Sequence, residues 1–306
     1  MKAKTIKAVL ARKFVEFVAS IEDESLQKMV AKNTIITGGA IASMLLREKV
    51  NDFDLYFRNR QTCLAVAEYF VEKFKANPPP RFAEGGGTCE IRVASTGDRI
   101  KVVVKSAGVA SENGEEGYRY FEQAPDPGST DAADYVEQAM EVLKDSEDAT
   151  KPKYRPVFLS TNAITLSDSV QLVIRFYGEP DEIHANYDFA HCTNYWTSWD
   201  GKLILRPDAL ESLLARELRY VGSKYPLCSF IRTRKFIARN WTINAGQYLK
   251  MAMQLNELDL KDLAVLEDQL IGVDAAYFAE IIQKLREKNV DRVDTAYLVE
   301  IIDRIF

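Results

Sequence analysis

Thr37-Gly38-Gly39-Ala40 and Asp52-Phe53-Asp54-Leu55 constrain this chain more than any other part of it. The first follows a β-branched run, Thr34-Ile35-Ile36-Thr37. It precedes a helical pattern through Ile41, Met44 and Leu45, so it reads as strand, Gly-Gly turn and helix. The second alternates through Tyr56 and Phe57 and reads as another strand. Side chains alternate across a strand, so Asp52 and Asp54 share one face while Phe53, Leu55 and Phe57 turn to the other, toward a core. Two carboxylates held side by side repel each other, and a divalent cation removes that repulsion. Oxygen ligands of this kind suit magnesium, which keeps several waters and completes its shell with substrate phosphates. The Gly-Gly turn offers bare backbone N–H groups and the positive end of a helix dipole to an anion. Together the two stretches place a triphosphate beside its metal.

The rest of the chain supplies a frame for them. Helical periodicity runs through residues 4–31, with a second start at Asp23 or Glu24, and returns from Thr62 to Lys75 before Pro78-Pro79-Pro80. Strands are expected at Glu90–Val104 around Gly97-Asp98, and at Val157–Leu159, Ala163–Leu166, Gln171–Tyr177, His184–His191 and Leu203–Leu205. Residues 106–150 are rich in Gly, Ser, Asp and Glu, and read as a solvated, partly disordered insertion carrying one helix near 131–143. From Pro207 the pattern is helical to the end, closing with three short amphipathic helices over 258–306. The expected fold is α+β. A head over 1–205, with a helical lead-in at 1–31 and the acidic insertion at 106–150, precedes a helical domain over 206–306.

Here the sequence resembles the DNA polymerase β-type nucleotidyltransferase superfamily. Its signature is a Gly-Gly or Gly-Ser turn opening a helix, then a strand bearing Asp-x-Asp, then a third carboxylate on a later strand. Gly38-Gly39 and Asp52-x-Asp54 match in order and spacing. The likeness is to the heads of bacterial CCA-adding enzymes and poly(A) polymerases in particular, whose pattern is GGxxRD…DxD. Ala42-Ser43 stands in place of the Arg-Asp pair, which argues against template-independent addition to tRNA ends. The resemblance covers about residues 33–205 and implies a mixed sheet with flanking helices. It implies two magnesium ions on Asp52, Asp54 and a third carboxylate, and a nucleoside triphosphate held near Gly38, Gly39 and Ser43. Asp188, within Ile183-His184-Ala185-Asn186-Tyr187-Asp188-Phe189, is the expected third ligand, because an unpaired charge between core-facing aromatics would be costly. On the strand expected there, His184 shares its face and belongs at the rim of the cleft.

The implied activity is transfer of a nucleoside monophosphate from a triphosphate to an acceptor hydroxyl, with RNA or tRNA among the acceptors. The alternative is a catalytically inactive member of the superfamily that binds or scaffolds, in a viral or defence context.

A second stretch bears on partners. At helical spacing Arg232, Lys235 and Arg239 form one stripe, expected to contact the phosphates of a nucleotide or an RNA, or else to be a plain solvated face. Arg239-Asn240-Trp241-Thr242-Ile243-Asn244-Ala245 partly resembles the RRDFTINA motif of the same enzymes, with Ala238 and Asn240 as departures. The net charge of −5 gives no global attraction to nucleic acid, which leaves such local patches to supply it. Cys63, Cys89, Cys192 and Cys228 are scattered without a CxxC pair, against a disulfide framework or a zinc ribbon. His184, His191 and Cys192 split across strand faces and make a poor zinc set, so structural histidines are expected. Met1-Lys2-Ala3-Lys4 leads into an amphipathic pattern, and no stretch approaches the ~20 apolar residues of a membrane span. A soluble, cytoplasmic protein with no membrane partner is expected.

Overall fold

The structure, a computed structural model, describes residues 1–77, 89–97, 99–106, 152–159, 162–270 and 294–305. They fall into two compact units. The first takes the described residues up to 185 together with 191–213; the second takes 186–190, 214–270 and 294–305. The expected helix near 131–143, Gly85-Gly86-Gly87 and residues 271–293 of the expected helical tail lie outside the described residues.

The first unit is built on a seven-stranded mixed sheet. Its strands are β1 (Thr34–Thr37), β2 (Phe53–Phe57), β5 (Pro156–Leu159), β6 (Ala163–Leu166), β7 (Val170–Tyr177), β8 (Tyr195–Thr197) and β9 (Leu203–Ile204). Their order is β5-β6-β7-β2-β1-β8-β9. β2 and β7 run parallel; the other neighbours are antiparallel. A parallel pair needs a long crossover. Here it contains α4 (Arg60–Ala76), the separate hairpin of β3 (Cys89–Thr96) and β4 (Arg99–Ser106), and then β5 and β6. α4 starts where Asn59 Oδ1 accepts the Thr62 N–H at 2.9 Å.

One face of the sheet is the core. Phe53, Leu55 and Phe57 on β2 and Val170, Leu172 and Ile174 on β7 are all buried. α1 (Ala3–Ala19) covers this face because Ile6, Leu10, Phe14 and Phe17 recur along one side of it and are all buried. Phe14 lies 5.2 Å from the Trp196 ring, and Phe17 stacks on Phe70 of α4 at 6.1 Å. α2 (Glu24–Asn33) begins at Asp23, whose carboxylate accepts the Leu26 N–H.

Residues 184–191 are not a strand. α5 spans Pro180–His184, and a 3-10 turn spans Ala190–Cys192. Pro180 at the first helical position and the Glu182 carboxylate, which accepts the Glu179 N–H at 2.7 Å, start a helix. These start signals outweigh the short alternation that follows. β8 arises where no strand was expected, as three residues recruited to the edge of β1.

The second unit is helical. It holds α7 (Pro226–Ala238), α8 (Ala245–Leu255), α9 (Leu263–Leu270) and α10 (Thr295–Ile305); α6 (Pro207–Ala215), which precedes them, belongs mostly to the first unit. Phe236 contacts Phe189 at 5.6 Å and Trp241 at 5.9 Å, edge to face, and Phe189 also bridges to Tyr220. The expected helical C-terminal part is present.

Candidate metal and nucleotide site

Antiparallel pairing of β1 with β2 sets Thr37 opposite Asp54. The chain then leaves β1 through Gly38, at φ +90°, ψ −153°, and enters α3 (Gly39–Leu46). A left-handed φ of this kind favours glycine, and space demands it as well. A Cβ on Gly38 would stand 2.6 Å from Asp54 Oδ2, so the carboxylate lies directly against the turn. A Cβ on Gly39 would meet nothing within 4 Å. The first N–H groups of α3 have no partner within the helix, and Gly38 has no side chain to cap them. The turn thus brings a carboxylate and a set of helix N–H groups together, with open space at Gly39.

Asp52 and Asp54 are both half-buried, and neither is paired with a basic side chain among the described residues. Burial first, and the charge of Asp52 second, push the Asp54 carboxyl well above the usual carboxylate range. Such a pair is short of positive charge. Among the described residues no three His, Cys, Asp or Glu side chains gather, so a closed protein cage is not built. Two neighbouring carboxylates without a basic partner fit magnesium, which binds through one or two carboxylates and takes its remaining ligands from water and phosphate.

The floor beside the turn is a buried polar network. Thr37 Oγ1 lies 2.8 Å from His184 Nε2 and 3.0 Å from the Asn194 carbonyl. The Gly38 N–H donates to the Cys192 carbonyl at 3.2 Å. Burial, and then the Arg206 guanidinium, push His184 down to about 4, so the imidazole is neutral and the Thr37 hydroxyl bridges it to a backbone acceptor. His184 is 4% exposed, in the core and not at a rim. Thr37 and Asn194 escape a sequence reading because their roles depend on β8 reaching β1.

Gln171 is another residue that sequence does not single out. β2 and β7 pair in parallel with Asp54 opposite Gln171, so both share the polar face, while Val170 and Leu172 point into the core. Alternation in Gln171–Tyr177 shows which residues face together, but not that this strand adjoins β2.

Asp188 belongs to the second unit and is not on a strand. Its carboxylate accepts the Ser223 hydroxyl at 3.0 Å and pairs with Arg232, and its carbonyl accepts the Val221 N–H at 2.9 Å. The expected third ligand and one member of the expected phosphate stripe are therefore held by each other. Lys235 and Arg239 are exposed, on α7 and at its C-terminal cap. Ser43 is half-buried within α3, its carbonyl accepting the Glu48 N–H at 2.8 Å. His184, His191 and Cys192 assemble no metal cluster.

A family model described as Gabija anti-defense 2 family protein matches residues 8–216, more than half of the chain. The chain belongs to the Gabija anti-defense 2 family. The matched span holds Gly38, Gly39, Asp52, Asp54, Gln171 and Asp188, and it ends before α7. No curated protein matches. Among solved structures, the Thermotoga maritima CCA-adding enzyme complexed with tRNA is similar at TM-score 0.38 and 11% identity, over 90% of this chain and 54% of that one. The Bacillus stearothermophilus CCA-adding enzyme in complex with CTP gives 0.37 and 13%, over 87% and 50%. A tRNA nucleotidyltransferase complexed with a primer tRNA and an incoming ATP analog gives 0.38 and 12%, over 84% and 57%. The chain spans between half and three-fifths of the length of these structures, and likenesses this loose carry no argument about activity.

Proposed function

We propose that this protein acts against Gabija defence as a metal-dependent nucleotidyltransferase of the polymerase β type. The observation that carries this reading is the Asp54 carboxylate lying against Gly38 at the start of α3, beside Asp52 and without a basic partner among the described residues. Asp52 and Asp54 would hold magnesium, which when bound neutralises phosphate charge and stabilises the charge that develops at the α-phosphorus. The N–H groups at Gly39 and along the first turn of α3, with Ser43 further along the helix, receive the anionic end of a nucleoside triphosphate. An acceptor hydroxyl oxygen then bonds to the α-phosphorus, the bond to the β-phosphate oxygen breaks, pyrophosphate leaves and the hydroxyl proton passes to solvent. The acceptor is an RNA or a protein of the defence system; Ala42-Ser43 speaks against a tRNA end.

A second reading has its own support. With Gln171 beside Asp54 and Asp188 tied to Arg232, the protein binds a metal nucleotide and transfers nothing. One experiment separates the two. The protein is incubated with each labelled triphosphate, magnesium, total RNA and Gabija proteins, and counter-defence is scored in Gabija-carrying cells for wild type and Asp54→Asn. Label transfer and counter-defence that both vanish in the variant support the transferase. Counter-defence that needs Asp54 with no label on any acceptor supports the binding reading. Counter-defence indifferent to Asp54 overturns both.

A further inference from the structure

Following the register across the sheet, Thr165, Gln171, Asp54, Thr37 and Tyr195 form one row through β6, β7, β2, β1 and β8. Every member has a polar group, in a sheet whose opposite face is apolar. Thr165 and Thr37 are buried, and Thr37 is committed to the His184 and Asn194 network. Gln171 is different. It is half-exposed, adjacent strands lie about 4.8 Å apart, and no described residue hydrogen-bonds its side-chain amide. An uncommitted amide next to a carboxylate pair is well placed to serve what that pair binds.

We propose that Gln171 is the third member of the site, a neutral one. Its amide contacts the metal nucleotide, and its lack of charge limits the site to a single divalent ion. The inference rests on the metal–nucleotide reading above. Its chemistry lies in the ligands the protein itself supplies: Asp52 and Asp54 offer anionic oxygens for one divalent ion that also takes phosphate oxygens, and an amide adds donor and acceptor atoms but no anionic oxygen to hold a second. A carboxylate at the same place would supply a third anionic ligand and so strengthen the hold on the first ion or admit a second.

The test is a manganese titration of the full chain, read by electron paramagnetic resonance, with and without a non-hydrolysable triphosphate analogue. Wild type, Gln171→Glu, Gln171→Leu and Asp54→Asn are compared, with folding checked by thermal melting. We expect one ion per wild-type chain. In Gln171→Glu we expect a second ion, or binding of the first at least tenfold tighter. In Gln171→Leu we expect the analogue to bind about tenfold more weakly, as loss of a hydrogen bond to a charged group requires. Should Gln171→Glu not fold, Gln171→Leu carries the test alone. Manganese and analogue binding unchanged in both Gln171 variants, with binding lost in Asp54→Asn, would overturn the role of Gln171 and leave the site standing. Binding unchanged in Asp54→Asn as well would overturn the site itself.

Discussion

Asp54 carries a cost in its charged form that a bound cation relieves. It is buried enough, and close enough to Asp52, that its charged form is disfavoured in the folded protein. Asp54→Asn removes that repulsion at nearly constant volume. We therefore expect the variant, without metal, to melt at or above the wild-type temperature, to lose magnesium-induced stabilisation, and to lose transfer by orders of magnitude. Thermal melts with and without magnesium, beside the transfer assay, check all three; a variant that melts lower without metal would make Asp54 a structural residue. His184 shows the opposite logic, a buried base kept neutral. Its folded value of about 4 lies below the ordinary 6.5. The unfolded chain therefore takes up the proton first as pH falls. Its contribution is whole above pH 6.5, is lost as pH drops through the window between 6.5 and 4, and amounts to about 3 kcal/mol at full extent. His184→Gln keeps an N–H toward Thr37 but cannot titrate. Urea unfolding from pH 7 to pH 5 should show a flatter decline in the variant than in wild type. Parallel slopes would refute this account of His184.

At the scale of elements, the two stretches that constrain the chain most are legible in sequence because their signals are local. A β-branched run, two glycines and an apolar helix repeat determine β1, the turn and α3. Alternation in Asp52–Phe57 determines which face of β2 is polar. Pairing is not legible in the same way. Nothing local says that β7 adjoins β2 in parallel, so sequence alone cannot set Gln171 opposite Asp54. The stretch 184–191 is ambiguous for a related reason: a few alternating residues also fit a short helix end and a 3-10 turn, and Pro180 with Glu182 decides for the helix. Asp188 is 11% exposed and anchors Ser223 and Arg232 within the second unit. Asp188→Asn should cost roughly 1–2 kcal/mol, discounted because Arg232 is 44% exposed, and should leave manganese binding unchanged. A manganese titration beside a urea melt checks this, and abolished manganese binding at full stability would identify Asp188 as a ligand.

Across the whole molecule, charge is segregated. The chain carries −5 overall, yet residues 214–256 contain eight Lys and Arg and one acidic residue, Glu217. Excess positive charge on a surface attracts polyanions, and binding through it weakens with salt because each neutralised phosphate releases counterions. The structure sorts these cations by availability. Arg232 is held by Asp188, and Lys250 Nζ donates to the Tyr220 carbonyl at 2.9 Å and lies over the Tyr220 ring. Arg234, Lys235 and Arg239 are exposed. If the acceptor is an RNA, Lys235→Glu with Arg239→Glu should weaken binding of a short single-stranded RNA at low salt. It should also make the dependence of affinity on salt shallower, by roughly 0.7 in slope for each phosphate that is no longer neutralised. Arg232→Glu should act differently, since it sets two negative charges against each other at Asp188 and destabilises the second unit before it touches RNA. Fluorescence anisotropy across a salt series, with melting curves for all three proteins, distinguishes these effects. Equal affinities and equal slopes for the double variant and wild type would make the exposed cations a solvated face, and would point to an acceptor that is not a nucleic acid.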